Sequence, residues 1–176
     1  MKSDPPLLNS TAPANPDDWY EADVWCPHVT VATVVPRDGK FLLIEEEVRG
    51  QLVLNQPAGH LDPQESLHDA AVRETLEESG WDVQLTSLLG VQQWTSLRTG
   101  LQFVRFSFVA EPLRHHPQRA LDNGIVRSLW LTRDEIVAEQ ARLRSPLILH
   151  SIDQWLSGHT LPLDTIQWLA SDHSAA

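Results

Sequence analysis

The stretch that decides the fold runs from Gly59 to Trp81. It reads Gly59-His60-Leu61-Asp62-Pro63-Gln64-Glu65, then seven residues from Ser66 to Val72, then Arg73-Glu74-Thr75-Leu76-Glu77-Glu78-Ser79-Gly80-Trp81. Its second half has the composition of a helix, expected from about Glu65 to Ser79 and closed by Gly80 as its C′ residue. At about 100° per residue, Leu67, Ala70 and Ala71 share a face with Glu74 and Glu78, and Glu77 lies at its edge. A stripe that should turn toward the core thus becomes carboxylate after two turns. Glu74/Glu78 and Glu74/Glu77 are like-charge pairs, each costing roughly 0.2–0.5 kcal/mol. Glu77 and Glu78 also occupy the last turn, where the helix dipole favours cations. Stability alone does not select such an arrangement.

Two readings account for it. One is a solvated acidic face. The other is a hard oxygen site for Mg²⁺ or Mn²⁺, in which the ion removes the repulsion. Gly59 allows a main-chain carbonyl to approach such an ion without interference from a Cβ, and it also reads as a residue needed only for turn geometry.

Outward from this segment, His28 to Val35 is β-branched and reads as a strand. Arg37-Asp38-Gly39-Lys40 forms a hairpin turn into a strand over Phe41 to Glu45. Leu52 to Leu54 is a further strand, and Pro57 and Gly59 mark Asn55 to Gly59 as a loop. Val83 to Trp94, Leu101 to Ala110 and Val126 to Leu131 read as strands, with a loop from His115 to Gly124. Thr132 and Glu135 form a capping box for a second helix. Ser145 as N-cap and Pro146 at the first position start a third, which ends before Gly158. The expected architecture is one α/β (α+β) domain with a mixed sheet over residues 23–170. Residues 1–22, with Pro5, Pro6, Pro13 and Pro16, read as a flexible extension, and 171–176 as a tail.

The 176 residues suffice for one core without staples. Thirteen Lys and Arg against 24 Asp and Glu give a net charge of −11, which repels nucleic acid and anionic membranes. An anionic substrate therefore needs a local device to hold it, such as a bound cation. Cys26 is the only cysteine, so no intrachain disulfide forms. Apolar runs such as Phe41 to Ile44 are too short to span a bilayer, and the N-terminus has no apolar signal region. A cytoplasmic protein is expected.

The segment from Gly59 to Trp81 resembles the Nudix box, in which a glycine and, after five residues, a glutamate precede R-E-U-x-E-E-x-G-U by seven residues, with U aliphatic or bulky apolar. Every fixed position and spacing matches; Thr75 and Trp81 at the U positions are mild departures. Pro27 to Ala32, Asn55 to Leu61 and Leu143 to Leu147 are similar to the NudJ-type phosphatase subgroup, and the resemblance runs from about residue 26 to 165. It implies the Nudix α/β/α sandwich with a mixed central sheet. It also implies Mg²⁺-dependent hydrolysis of phosphoanhydrides (Mn²⁺ being the other candidate ion) in nucleoside tri- and diphosphates and hydroxymethylpyrimidine pyrophosphate, releasing orthophosphate.

Carried over by this resemblance, Glu74, Glu77 and Glu78 match metal-binding carboxylates, joined by the Gly59 carbonyl. Glu74 is a ligand or the base, and Arg73 orients a box glutamate. Glu65 matches a structural residue at the helix start. Where relatives place a further acid ahead of a late strand, this chain has Gly124 and Val126; Asp122 is the nearest candidate and is displaced. Gln56, His60, Trp94 and Arg105 are the candidate substrate contacts. Arg105, Arg98 and Lys40 are candidate phosphate contacts, though each also reads as an ordinary surface charge. His115 and His116 have no zinc-like spacing and are assigned no site. The rival readings are a Nudix enzyme cutting nucleotide sugars or dinucleoside polyphosphates, and a non-catalytic nucleotide-sensing module. The expected partner is a small phosphoanhydride, with no nucleic acid or membrane, in a monomer or homodimer.

Overall fold

A computed structural model describes residues 25–169; the expected extension over 1–22 and the tail over 171–176 lie outside them. The elements follow in the order β1 His28–Val34, β2 Pro36–Arg37, β3 Lys40–Val48, β4 Gln51–Asn55, β5 Ala58–His60, α1 Leu67–Ser79, β6 Trp81–Thr95, β7 Gln102–His115, β8 Ile125–Thr132, α2 Arg133–Ala138 and α3 Leu147–Leu156. One mixed sheet has the order β5-β1-β7-β6, with β1 and β7 parallel and the other pairs antiparallel. In the second sheet β3 is central, with β2 and β4 along one edge and β8 along the other.

Both sheets are covered on two sides. Consecutive strand residues point to opposite faces, and here neighbours enter different clusters. Leu43, Val34 and Leu89 pack with Ile148 and Ile152 of α3 and Ile136 of α2. Leu88, Val31 and Phe108 pack beneath Ala70 and Ala71 of α1, and Leu42, Val35 and Val83 form a third cluster. This is the expected α/β/α sandwich. Burial on both faces explains why Phe41 to Ile44 is continuously apolar rather than alternating.

Local signals hold where the reason is local. Asp38 and Gly39 turn the first hairpin with φ of 50° and 74°. Thr132 and Glu135 make the full capping box of α2. Three expectations are corrected. The helix expected from Glu65 starts at Leu67, because the Ser66 hydroxyl accepts the Asp69 amide and so sets the cap after Glu65. The expected loop over Asn55 to Gly59 runs into β5, whose Ala58, Gly59 and His60 pair with β1. Helix α3 has Pro146, not Ser145, at its cap, and Ser145 Oγ is buried without a hydrogen-bond partner among the described residues.

Candidate active site

Helix α1 is held at both ends by its own sequence. Ser66 caps its start; Gly80, at φ 72°, closes its end with its amide on the Leu76 carbonyl. The helix lies over β1 and β5 through Ala70, Ala71 and Val31. Thr75, one of the two departures from the box, is buried. Its hydroxyl donates to the Ala71 carbonyl, so it accepts from Thr33 of β1 at 2.8 Å. A polar residue at an apolar position is thereby satisfied inside the helix–sheet contact.

This docking brings Gly59 against Glu74. A Cβ on Gly59 would stand 2.1–2.2 Å from the Glu74 carboxyl atoms. Gly59 is a strand residue and not at positive φ, so close approach is the reason for glycine here. Arg73 fixes the carboxylates. Its Nε and Nη2 donate to the two Glu65 oxygens at 2.7 and 2.9 Å, its Nη1 donates to Glu74 at 2.9 Å and Glu77 at 3.0 Å, and its Nη2 also reaches the His60 carbonyl at 3.2 Å. Arg73 holds Glu65 below the usual carboxylate range.

One carboxylate oxygen each from Glu74, Glu77 and Asp122 lies within 4.8 Å of the others. Asp122 reaches them because its amide donates to the Glu77 carbonyl at 3.0 Å, folding the loop onto the end of α1. Glu78 is not one of this trio; it lines the same cleft as Glu74 and accepts the Ala58 amide at 2.8 Å. Burial, aided by Glu74, Glu46 and Asp122, pushes its pKa up to about 8, and burial also raises Glu74. The chemistry of this donor set fits a hard divalent cation: carboxylate oxygens of Glu74, Glu77 and Asp122 converge, with more negative charge than Arg73 neutralises.

The family model for the NUDIX domain matches residues 26–151. The chain belongs to the Nudix family. It is a Nudix hydrolase similar to phosphatase NudJ of Escherichia coli K12, with 41% identity over 140 residues covering 80% of this chain and 90% of that protein. A solved Nudix hydrolase from Nitrosomonas europaea superposes with a TM-score of 0.80 at 44% identity, covering 82% of this chain and 98% of that one. The NUDIX domain of Shewanella oneidensis NrtR, solved with ADP ribose, superposes with a TM-score of 0.63 at 15% identity over 80% of this chain and 97% of that one, a likeness of fold alone.

In this Nudix domain the box acids border a cleft of about 390 Å³ lined by Gly59, Glu74, Glu78, Trp94, Phe103 and Arg105, among others. His60 lines it too, with its ring 3.2 Å from His28; burial and then His28 lower its pKa. Arg105 also reads from sequence as an ordinary surface charge, but it is only 6% exposed, with Nε and Nη2 buried and without a partner among the described residues. Gln56 is 1% exposed and does not line the cleft; its neighbour Asn55 does. Arg98 and Lys40 are exposed and stand outside it, in the β6–β7 turn and the first hairpin. His115 stacks on Trp81 at 4.7 Å and His116 pairs with Asp82 at 2.7 Å, both outside the cleft. Glu46, Phe103 and Arg144 also line it, and none of them is among the site residues expected from the sequence. Glu46 ends an apolar strand as part of Glu45-Glu46-Glu47, and that run was the available signal.

Proposed function

We propose that this Nudix hydrolase cleaves nucleoside tri- and diphosphates and hydroxymethylpyrimidine pyrophosphate, with a divalent ion (Mg²⁺, or Mn²⁺) as cofactor and orthophosphate as inorganic product. The observation that carries the reading is a single cleft lined by box carboxylates and by a buried arginine without a protein partner among the described residues. A cation and an anion can sit there together. The 41% identity to phosphatase NudJ supports the phosphatase outcome. A cytoplasmic setting, a monomer or homodimer, and a single domain over 23–170 belong to the same proposal.

Glu77, Asp122 and the Gly59 carbonyl would hold the ion, with Glu78 beside them and Glu74 as a further ligand or as the base. When bound, the ion supplies activation of water and neutralisation of phosphate charge. Arg73 holds Glu74 and Glu77 in place through Nη1, and Glu65 holds Arg73. Glu74 uses Oε1 for Arg73, which leaves Oε2 for either role, joining the ligands or accepting the proton of the attacking water. Its burial raises its pKa in the direction a general base needs. Arg105 faces the phosphate, and Trp94 with Phe103 faces the organic group.

The test is a panel of nucleoside di- and triphosphates, the pyrimidine pyrophosphate, nucleotide sugars and dinucleoside polyphosphates, scored for orthophosphate against pyrophosphate. Orthophosphate from the first two classes is expected. Turnover confined to nucleotide sugars or dinucleoside polyphosphates, or pyrophosphate as sole product, would overturn the substrate assignment. No turnover of any phosphoanhydride would leave the nucleotide-sensing module.

A further inference from the structure

Two cross-strand rows lie side by side on the sheet β5-β1-β7-β6. In one, His60, Thr30 and Arg105 are register partners; in the next, His28, Phe103 and Trp94 are. Phe103 and Arg105 are two residues apart on β7, so they share a face, about 7 Å apart along the strand. The second row is a half-buried aromatic surface: His28 and Phe103 have ring centroids 5.2 Å apart at 31°, and Phe103 and Trp94 5.6 Å apart at 28°.

Arg105 makes no hydrogen bond or ion pair among the described residues, and two of its nitrogens are buried. Burial pulls its pKa down to about 10, which leaves it charged at neutral pH, and the acid acting on it is Glu78. A buried cation without a close partner is expensive. An anion entering the cleft supplies that partner. Neither row includes a member of the carboxylate trio.

We propose that this face is a half-site for an aromatic-ring monophosphate that needs no metal, the phosphate on Arg105 and the ring on Phe103 and Trp94. It rests on the phosphoanhydride-hydrolase reading, in which the ring with its remaining phosphate is the group left after cleavage. The chain thus grips its leaving group from the sheet, while the helix carries the acids. The about 7 Å step between rows suits a ring joined to phosphate by a sugar or a single carbon.

Calorimetric titration of the full chain in EDTA tests this, with CMP and AMP as ligands and inorganic phosphate and cytidine as the separate halves. Each monophosphate should bind at least about tenfold more tightly than either half, the effect of one added charged contact. Arg105→Met should lose at least about tenfold of that affinity while binding cytidine as before, and Trp94→Leu should weaken the monophosphate and cytidine together. Because Arg105→Met removes an unpaired buried charge, it should melt at or above the wild type in EDTA. Monophosphate binding that appears only with Mg²⁺, or persists unchanged in Arg105→Met, overturns the proposal. If phosphoanhydrides are not hydrolysed but CMP binds in EDTA through Arg105, the half-site stands and the hydrolase reading fails. If hydrolysis proceeds without metal-free binding, the half-site fails alone.

Discussion

Replacing Gly59 with alanine tests the geometry of the acidic site at one atom. The residue lies in β5 outside the left-handed region, so alanine suits its backbone. Only space opposes it: the new Cβ would stand 2.1 Å from Glu74 Cδ and Oε1 and 2.2 Å from Oε2, where ordinary contact begins near 3.4 Å. The carboxyl must retreat by about 1 Å, and the 2.9 Å bond from Arg73 to Glu74 must stretch or break. Misplacing a reacting group by about 1 Å costs about two orders of magnitude in rate, and the overpacking costs about 1–3 kcal/mol of stability. The assay is kcat with Mg²⁺ beside urea unfolding in EDTA. Adding Glu74→Asp, one methylene shorter, should recover most of the stability loss and none of the rate. A Gly59→Ala enzyme within about threefold of the wild-type rate, or stability losses that simply add in the double variant, would contradict the close approach of Gly59 to Glu74.

Glu78→Gln should lose at least about two orders of magnitude in rate. In EDTA it should melt at or above the wild type, because burial and three neighbouring acids oppose the charge it removes; an active variant that melts clearly lower would make Glu78 a structural residue. Glu45 is held below its ordinary value of 4.5 by hydrogen bonds from Arg127 and then Arg142. Its folded pKa is depressed, so its stabilisation is present above about pH 4.5 and fades as pH falls through the folded value. Glu45→Gln should therefore cost about 1–2 kcal/mol near pH 7 and little near pH 3, and an equal cost at both would contradict the ion-pair account. Thr75→Val leaves the Thr33 hydroxyl buried and unpaired, at about 1–2 kcal/mol. Adding Thr33→Val should return part of that loss, and a further loss in chemical unfolding would contradict the pairing.

What could be read from the sequence depended on whether its cause was local. Gly80 ends α1 and Thr132 with Glu135 starts α2 through contacts within a few residues, so both stand in the chain. The spacing of Glu74 and Glu77 on one helix likewise made the acidic site legible. Strand β5 was not legible. Pro57 and Gly59 argue for a loop, and only β1, through His60, Gly59 and Ala58, makes that segment extended. Arg105 is an alternate residue of an ordinary strand, and its burial depends on the packing of helix and sheets around the cleft rather than on its neighbours. Asp122 stands two residues ahead of Gly124, and a hydrogen bond to the Glu77 carbonyl brings it to the trio. Ser145 has the composition of an N-cap, but the chain turns one residue later and leaves its hydroxyl buried.

On the proposed function, the acids of α1 and Asp122 hold a divalent ion that drives phosphoanhydride hydrolysis. The most direct measurement is orthophosphate release from CTP by EDTA-stripped protein as Mg²⁺ is titrated back, with Glu77→Gln beside the wild type. The wild type should be inactive in the chelator and recover saturably with Mg²⁺. Glu77→Gln should lose at least about two orders of magnitude in rate at every concentration. Full orthophosphate release in excess EDTA, or a Glu77→Gln variant with the wild-type Mg²⁺ response, would contradict it.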